Sequence, residues 1–224
     1  VIRLDLKIDK NEVLRYLGYR GGEIDDKLNN LIDECIDRII KSATLRVIYK
    51  EFNISNDMSL ENTLYKFHGE DIKAHLSGCK KCVLMALTLG VKVEDIIRTA
   101  GISDMSRSVI LDSCATAAAE QAADNVQGLI EKEYKGKFLT KRFSPGYGDM
   151  PIESQQDFAV LLDTARKIGL TVTKNNILLP RKSITAIIGI SDVKTKGRLS
   201  GCKACLIKDK CNFRKEGRTC DIKR

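Results

Sequence analysis

Arg142-Phe143-Ser144-Pro145-Gly146-Tyr147-Gly148-Asp149-Met150-Pro151 carries more information than any other ten residues of the chain. Arginine is permanently charged, and its planar fork matches a carboxylate. Pro145-Gly146 suits the centre of a type II turn, with proline at the second position and glycine supplying a positive φ at the third. Gly146 and Gly148 lack a Cβ, so a ligand can approach the backbone and its N–H donors. Asp149 is placed to cap a following helix, with Pro151 in that helix's first turn. The positive end of such a helix would face the same place as Arg142. The stretch describes a cradle for a small anionic or zwitterionic ligand. Its plain alternative is a surface turn between a strand and a helix.

Outward from this stretch, the hydrophobic pattern supplies the elements. Ile2, Leu4, Leu6 and Ile8 alternate with charges, as in a strand with one buried face. Asp9 can cap a short helix ending near Gly18. Leu28, Leu31, Ile32, Cys35, Ile36, Ile39 and Ile40 form a helical stripe over residues 25–42. Residues 45–54 have strand composition, and 63–67 are a candidate partner for them. A short helix over 69–76 and a buried strand over 82–89 follow. Residues 92–99 and 105–134 read as helices, and 138–143 as a strand leading into the motif. A helix over 152–167 puts Phe158, Leu161, Leu162 and Ala165 inward. Strands are expected at 170–173 and 183–190. Long helices mixed with scattered strands indicate an α+β fold, not a regular βαβ alternation.

Composition sets the outer limits. A chain of 224 residues, 43% hydrophobic and 30% charged, holds one domain, or one domain with an appendage. No stretch approaches the roughly 18 apolar residues of a membrane span. The opening residues alternate in charge and do not read as a secretory signal, although an initiator Met is missing from this numbering. Eight cysteines without an export signal point to a reducing, cytoplasmic setting, where cysteine clusters bind metal more often than they form disulfides.

The net charge of +8 is local. Residues 194–224 carry eleven Lys/Arg and three Asp/Glu, while the other 193 residues hold 27 of each sign. This break divides the chain into a neutral body, 1–193, and a basic tail, 194–224. The tail contains Cys202-x2-Cys205-x5-Cys211-x8-Cys220. Four thiolates so close can surround one centre, and all-sulfur ligation suits Zn²⁺ or an iron–sulfur cluster. The spacing departs from both the zinc ribbon and the bacterial ferredoxin run. It is similar to part of the auxiliary-cluster motifs of some radical enzymes. A tail with so few apolar residues needs a staple to become ordered. Elsewhere Cys79 and Cys82 read as core thiols and Cys35 as packing. Cys114 reads equally as core or site lining, and His68 and His75 as ordinary residues.

Arg142, Gly146 and Tyr147 form an Arg-x-x-x-Gly-Tyr pattern. This resembles the S-adenosylmethionine motif of the activation domain of cobalamin-dependent methionine synthase, and the ten-residue string resembles free-standing members of that family. Ala86-Leu-Thr-Leu-Gly90, the Asp112–Glu120 helix, Gly169–Thr173 and Pro180-Arg-Lys-Ser183 are similar to family segments at recognisable spacing over about residues 60–190. The resemblance implies a bent antiparallel sheet with flanking helices. It implies that Arg142 holds a methionine carboxylate, and that the Gly146–Tyr147 backbone holds adenine or ribose. Ser144, Pro145 and Gly148 complete the cradle, and Glu120 takes the ammonium or ribose hydroxyls. The chain departs from the family at Gly136, where an acidic residue is expected. Glu131, Glu133 and Asp149 are candidate substitutes.

The activity implied is that of a methyltransferase component: reactivation of cob(II)alamin by one-electron reduction and methylation from S-adenosylmethionine. Such chemistry needs positioning and no acid–base residue. The chain has neither the Asp-x-His-x-x-Gly signature of many corrinoid proteins nor an evident homocysteine-binding zinc module. The cobalamin would therefore sit on a separate methionine synthase or methyltransferase, with a low-potential electron donor as second partner. The cysteine tail could carry a 4Fe–4S electron donor, or a structural zinc that docks the partner. Its positive surroundings raise a cluster's potential, the wrong direction for reaching cob(I), which makes the zinc a serious rival to the cluster. Other readings are a non-catalytic S-adenosylmethionine-binding module and, least favoured, a zinc-tail nucleic-acid binder. Phe213, the tail's only aromatic, offers little base stacking.

Overall fold

Aspartates start the first two helices. In the computed structural model, which describes residues 6–19, 21, 24–194 and 210, Asp9 accepts from the Asn11 amide and caps α1, Lys10–Tyr16. Asp25 accepts from the Leu28 amide and caps α2, Asp26–Ser42. The remaining elements are β1 Arg46–Asn53, α3 Glu70–His75, β2 Lys81–Thr88, α4 Val91–Ser103, α5 Met105–Glu133, β3 Phe138–Leu139, α6 Ser154–Leu162, α7 Thr164–Ile168, β4 Thr171–Val172, β5 Leu178–Leu179 and β6 Ser183–Ser191.

One sheet has the strand order β1-β2-β6-β3, and β4 and β5 form a separate pair. The bonds that bracket the strands show their direction. Thr44 N–H donates to Leu89 O and Ile54 N–H to Lys80 O, so β1 and β2 run antiparallel. Leu89 N–H donates to Lys182 O, and the Ser191 hydroxyl donates to Gly78 O, so β2 and β6 do likewise. β3 pairs antiparallel with the end of β6, Phe138 opposite Ser191. The two central strands are buried along nearly their whole length. This explains why VLMALT and ITAIIGI are continuous apolar runs instead of alternating ones.

The chain comprises two compact units. Among the described residues, the first lies within 6–50, 85–133 and 155–185, and the second within 51–84, 134–154 and 186–194. In the first, α5 packs on α1, α2 and α4. Half of its buried residues are alanine (Ala115, Ala118, Ala122 and Ala123 are fully buried), and Val13, Ile32, Cys35, Ile39, Leu89 and Val93 are fully buried in the same unit. Small side chains let helices approach closely. In the second unit, Phe67, Ile72, Leu76, Phe143, Met150 and Ile187 are buried.

Several expectations are corrected. Leu6 and Ile8 lie outside any strand, and Ile2 and Leu4 fall outside the described residues. Residues 63–67 do not extend β1, because Lys66 bridges Ser59 in a local turn. The strand expected over 138–143 ends at Leu139; beyond it Thr140 exchanges hydrogen bonds with Gly189 of β6, and Phe143 bridges Ile187. The helix expected over 152–167 begins at Ser154 and breaks at Asp163, which has φ 54°. That break turns Ala165 outward while Phe158 and Leu162 stay buried. The expected basic tail, with Cys202, Cys205, Cys211 and Cys220, lies outside the described residues apart from Lys194 and Lys210. No helix among the described residues is long and apolar enough to cross a membrane.

Candidate functional site

The Arg142–Met150 segment belongs to the second unit, and Phe143 anchors it. Phe143 N–H donates to Ile187 O at 2.9 Å, and Ile187 N–H donates back to Phe143 O at 2.8 Å. The Phe143 ring is buried against His75, with centroids 5.0 Å apart. Beyond this anchor the chain turns twice. Tyr147 N–H donates to Ser144 O at 3.0 Å, with Pro145 and Gly146 (φ 87°) at the centre, as the type II expectation requires. Met150 N–H then donates to Tyr147 O, and Gly146 N–H donates to Met150 O. The donors that the sequence offered to a ligand at Gly146 and Tyr147 are therefore used within the loop. The segment also presents the half-buried Arg142 and the Tyr147 ring, 58% exposed and edge-on to Phe143 at 6.0 Å.

Asp149 does not cap the helix that follows it. Its Oδ2 accepts from Glu70 N–H at 2.7 Å and its Oδ1 from Asp71 N–H at 2.9 Å, so it caps α3. These backbone donors, Asp71 first, hold its carboxyl below the usual carboxylate range. Pro151 precedes α6 through a turn in which Ser154 N–H donates to Pro151 O. The helix end expected beside Arg142 is thus replaced by α3, with its N-terminus already occupied by Asp149.

Glu120, the other expected ligand contact, is half-buried on α5 in the first unit. The Tyr16 phenol of that unit is raised, first by burial and then by the charge of Glu120. The three candidate substitutes for the missing acid are engaged elsewhere. Glu131 accepts from Gln127, Glu133 from the Tyr49 hydroxyl, and Asp149 from α3. Gly136 itself has φ 82° in the turn after α5, a conformation strained for any residue with a side chain. Backbone geometry therefore accounts for glycine at the position where the family pattern has an acid.

Of the four body cysteines, Cys35, Cys82 and Cys114 are core thiols and Cys79 is half-buried. Cys35 and Cys114 are fully buried in the first unit, which decides Cys114 for core. Burial pushes Cys114 up to about 12 and Cys79 up to about 11, and raises Cys82 further. All three stay protonated at neutral pH. Among the described residues, no group of three or more His, Cys, Asp or Glu side chains could hold a metal.

A cleft of about 570 Å³ in the first unit is lined by Glu94, Asp95, Arg98, Asp112, Arg181 and Lys182. Lys182 bridges Asp112 Oδ1 and Thr116 Oγ1, both at 2.9 Å. The cleft contains none of the motif residues.

No protein-family model matches the chain, and no curated protein matches it in sequence. Among solved structures, it is similar to a crystal structure of the MetH reactivation domain bound to AdoHcy. The TM-score is 0.60 at 15% sequence identity, over 94% of this chain and 82% of that chain. Identity this low shows the fold alone. The antiparallel sheet and flanking helices expected from the sequence belong to that fold.

Proposed function

We propose that this chain is an S-adenosylmethionine-binding activation module, acting in trans on a separate corrinoid-dependent methionine synthase or methyltransferase. The observation that carries the reading is the Arg142–Tyr147 loop, anchored by Phe143, on a fold similar to a reactivation domain over 94% of the chain. The residues fit the ligand at two points. Arg142 supplies the fork for the methionine carboxylate, and the exposed Tyr147 ring supplies a face for adenine or ribose. Ser144, Pro145, Gly146 and Gly148 shape the turn between them, and the Gly146 and Tyr147 amides are engaged within the loop. Glu120 is assigned to the ammonium or ribose hydroxyls. When bound, S-adenosylmethionine supplies a methyl group on a sulfonium leaving group, and the partner supplies the cobalamin. The chain's own contribution is orientation.

The supply of electrons is assigned to a low-potential donor or to an iron–sulfur cluster on Cys202, Cys205, Cys211 and Cys220. A zinc ion on the same thiolates is the rival, serving to dock the partner. Metal analysis of protein purified without air separates the two. Counting alkylated cysteines before and after chelation then tests ligation, since Cys35, Cys82 and Cys114 are buried and the half-buried Cys79 stays protonated.

The reading is tested by calorimetric titration of S-adenosylmethionine into anaerobically purified protein. Micromolar binding is expected. Arg142→Ala should weaken it about 10- to 100-fold, the value of a hydrogen-bonded charged contact. Methylation of cob(II)alamin with candidate partners and a reductant then separates an activation subunit from a binding module without activity. Well-folded wild type that binds no S-adenosylmethionine would refute the proposal.

A further inference from the structure

A short helix leaves its first N–H groups without partners, and they must be satisfied from outside it. α3 has only six residues, and Gly69 at its start has no side chain to cap it. The cap comes from Asp149, some 80 residues later in the chain, whose two carboxylate oxygens take the Glu70 and Asp71 amides. At the other end of α3, His75 Nε2 lies 2.9 Å from Lys141 O. A carbonyl only accepts, so Nε2 carries the proton. The same imidazole packs on Phe143.

The two ends of α3 thus hold Lys141 and Asp149, the residues that flank Arg142 to Gly148. Six helical residues span roughly 9 Å, whereas the nine from 141 to 149 could extend to nearly 30 Å. α3 therefore sets the separation at which the loop starts and ends. The fit leaves no room. A Cβ on Gly69 would lie 2.5 Å from Asp149 Oδ1 and 2.9 Å from Asp149 O, and one on Gly148 would run into the Asp71 carboxylate.

We infer that α3 is the positioning element of the candidate site. Asp149 and His75 clamp the Lys141–Asp149 span so that Arg142 and Tyr147 are presented together, and Gly69 and Gly148 permit the close approach that the clamp requires. Asp149, His75 and Gly69 do not touch ligand in this account. The inference rests on the reading of the loop as an S-adenosylmethionine site.

The experiment compares the full-length wild type with Asp149→Ala, Asp149→Asn and Gly69→Ala. Each is titrated with S-adenosylmethionine well below its melting temperature, with amide hydrogen exchange measured in parallel. Asp149→Ala and Gly69→Ala should each weaken binding about fivefold, the scale of a lost helix cap. Exchange of the Tyr147 and Met150 amides should quicken in step. Asparagine keeps one acceptor oxygen but turns its NH2 donor toward the other backbone N–H, so Asp149→Asn should recover one of the two cap bonds and restore both readouts only in part. Folded alanine variants with wild-type affinity and unchanged loop exchange would overturn the clamp, even if they melt earlier. If wild type binds no ligand, the functional reading fails. The exchange data then decide the clamp by themselves, and unchanged loop protection refutes it.

Discussion

α5 and the Arg142–Met150 loop each carry a proposed ligand contact, and they are built by opposite means. α5 is 29 residues of local hydrogen bonding whose shape follows from its own sequence. Its alanines favour the helix and, on the buried face, let neighbours pack closely. The loop has three internal backbone bonds, and its other anchors come from residues far away in the chain: Ile187 on β6, and Glu70, Asp71 and His75 on α3. A site residue on a long helix inherits a rigid place from local structure. A site residue on a loop is only as well placed as the elements that hold the loop's ends.

That contrast can be broken most forcefully at Phe143. Phe143→Ala removes a fully buried ring from the anchor and should cost about 3–5 kcal/mol in urea unfolding, as well as ligand binding. A small loss would mean that the loop does not depend on its anchor. On the helical side, Ala118→Leu forces a large side chain into a closed contact. About 1–3 kcal/mol of stability should be lost, while exchange of the loop amides stays unchanged. Loop exchange that rose with it would show that the two regions are not independent.

A pH titration sharpens the comparison further. Burial lowers the pKa of His75 from its ordinary 6.5, against a smaller opposing effect from Lys141 O, and its Nδ1 has no hydrogen-bond partner. The unfolded chain therefore takes up the proton at a higher pH than the folded one. The stabilisation is fully present above about 6.5 and declines as pH falls through that value. His75→Gln keeps a donor for Lys141 and should flatten this part of the stability curve in melting experiments between pH 7 and about 5. An identical slope in the variant would acquit His75. The smallest stability effect is expected at Tyr147. Its exposed ring should contribute within about 0.5 kcal/mol, so Tyr147→Ala should melt like wild type. Binding of S-adenosylmethionine should nevertheless weaken about fivefold through the lost ring contact.

Legibility followed the same division. The cap at Asp9, the stripe of α2, the long α5 and the continuous apolar strands β2 and β6 were all visible, because periodicity and capping act within a few residues. The Pro145-Gly146 turn was visible for the same reason. The break at Asp163 was not, because a left-handed aspartate leaves no mark in a pattern that otherwise continues as helix. β5 was missed because two residues are too few to show alternation.

By itself, then, the sequence determined the long helices and the continuous apolar strands, that Arg142 and Tyr147 share one short segment, and that positive charge gathers after residue 193. Only the tertiary structure decided that Asp149 caps α3, that His75 holds Lys141, and that the Gly146 and Tyr147 amides are already taken. A capping carboxylate is identical in sequence whether the helix it serves is the next one or lies some 80 residues back. The choice is made by where the folded chain brings unsatisfied N–H groups, and local sequence does not record that.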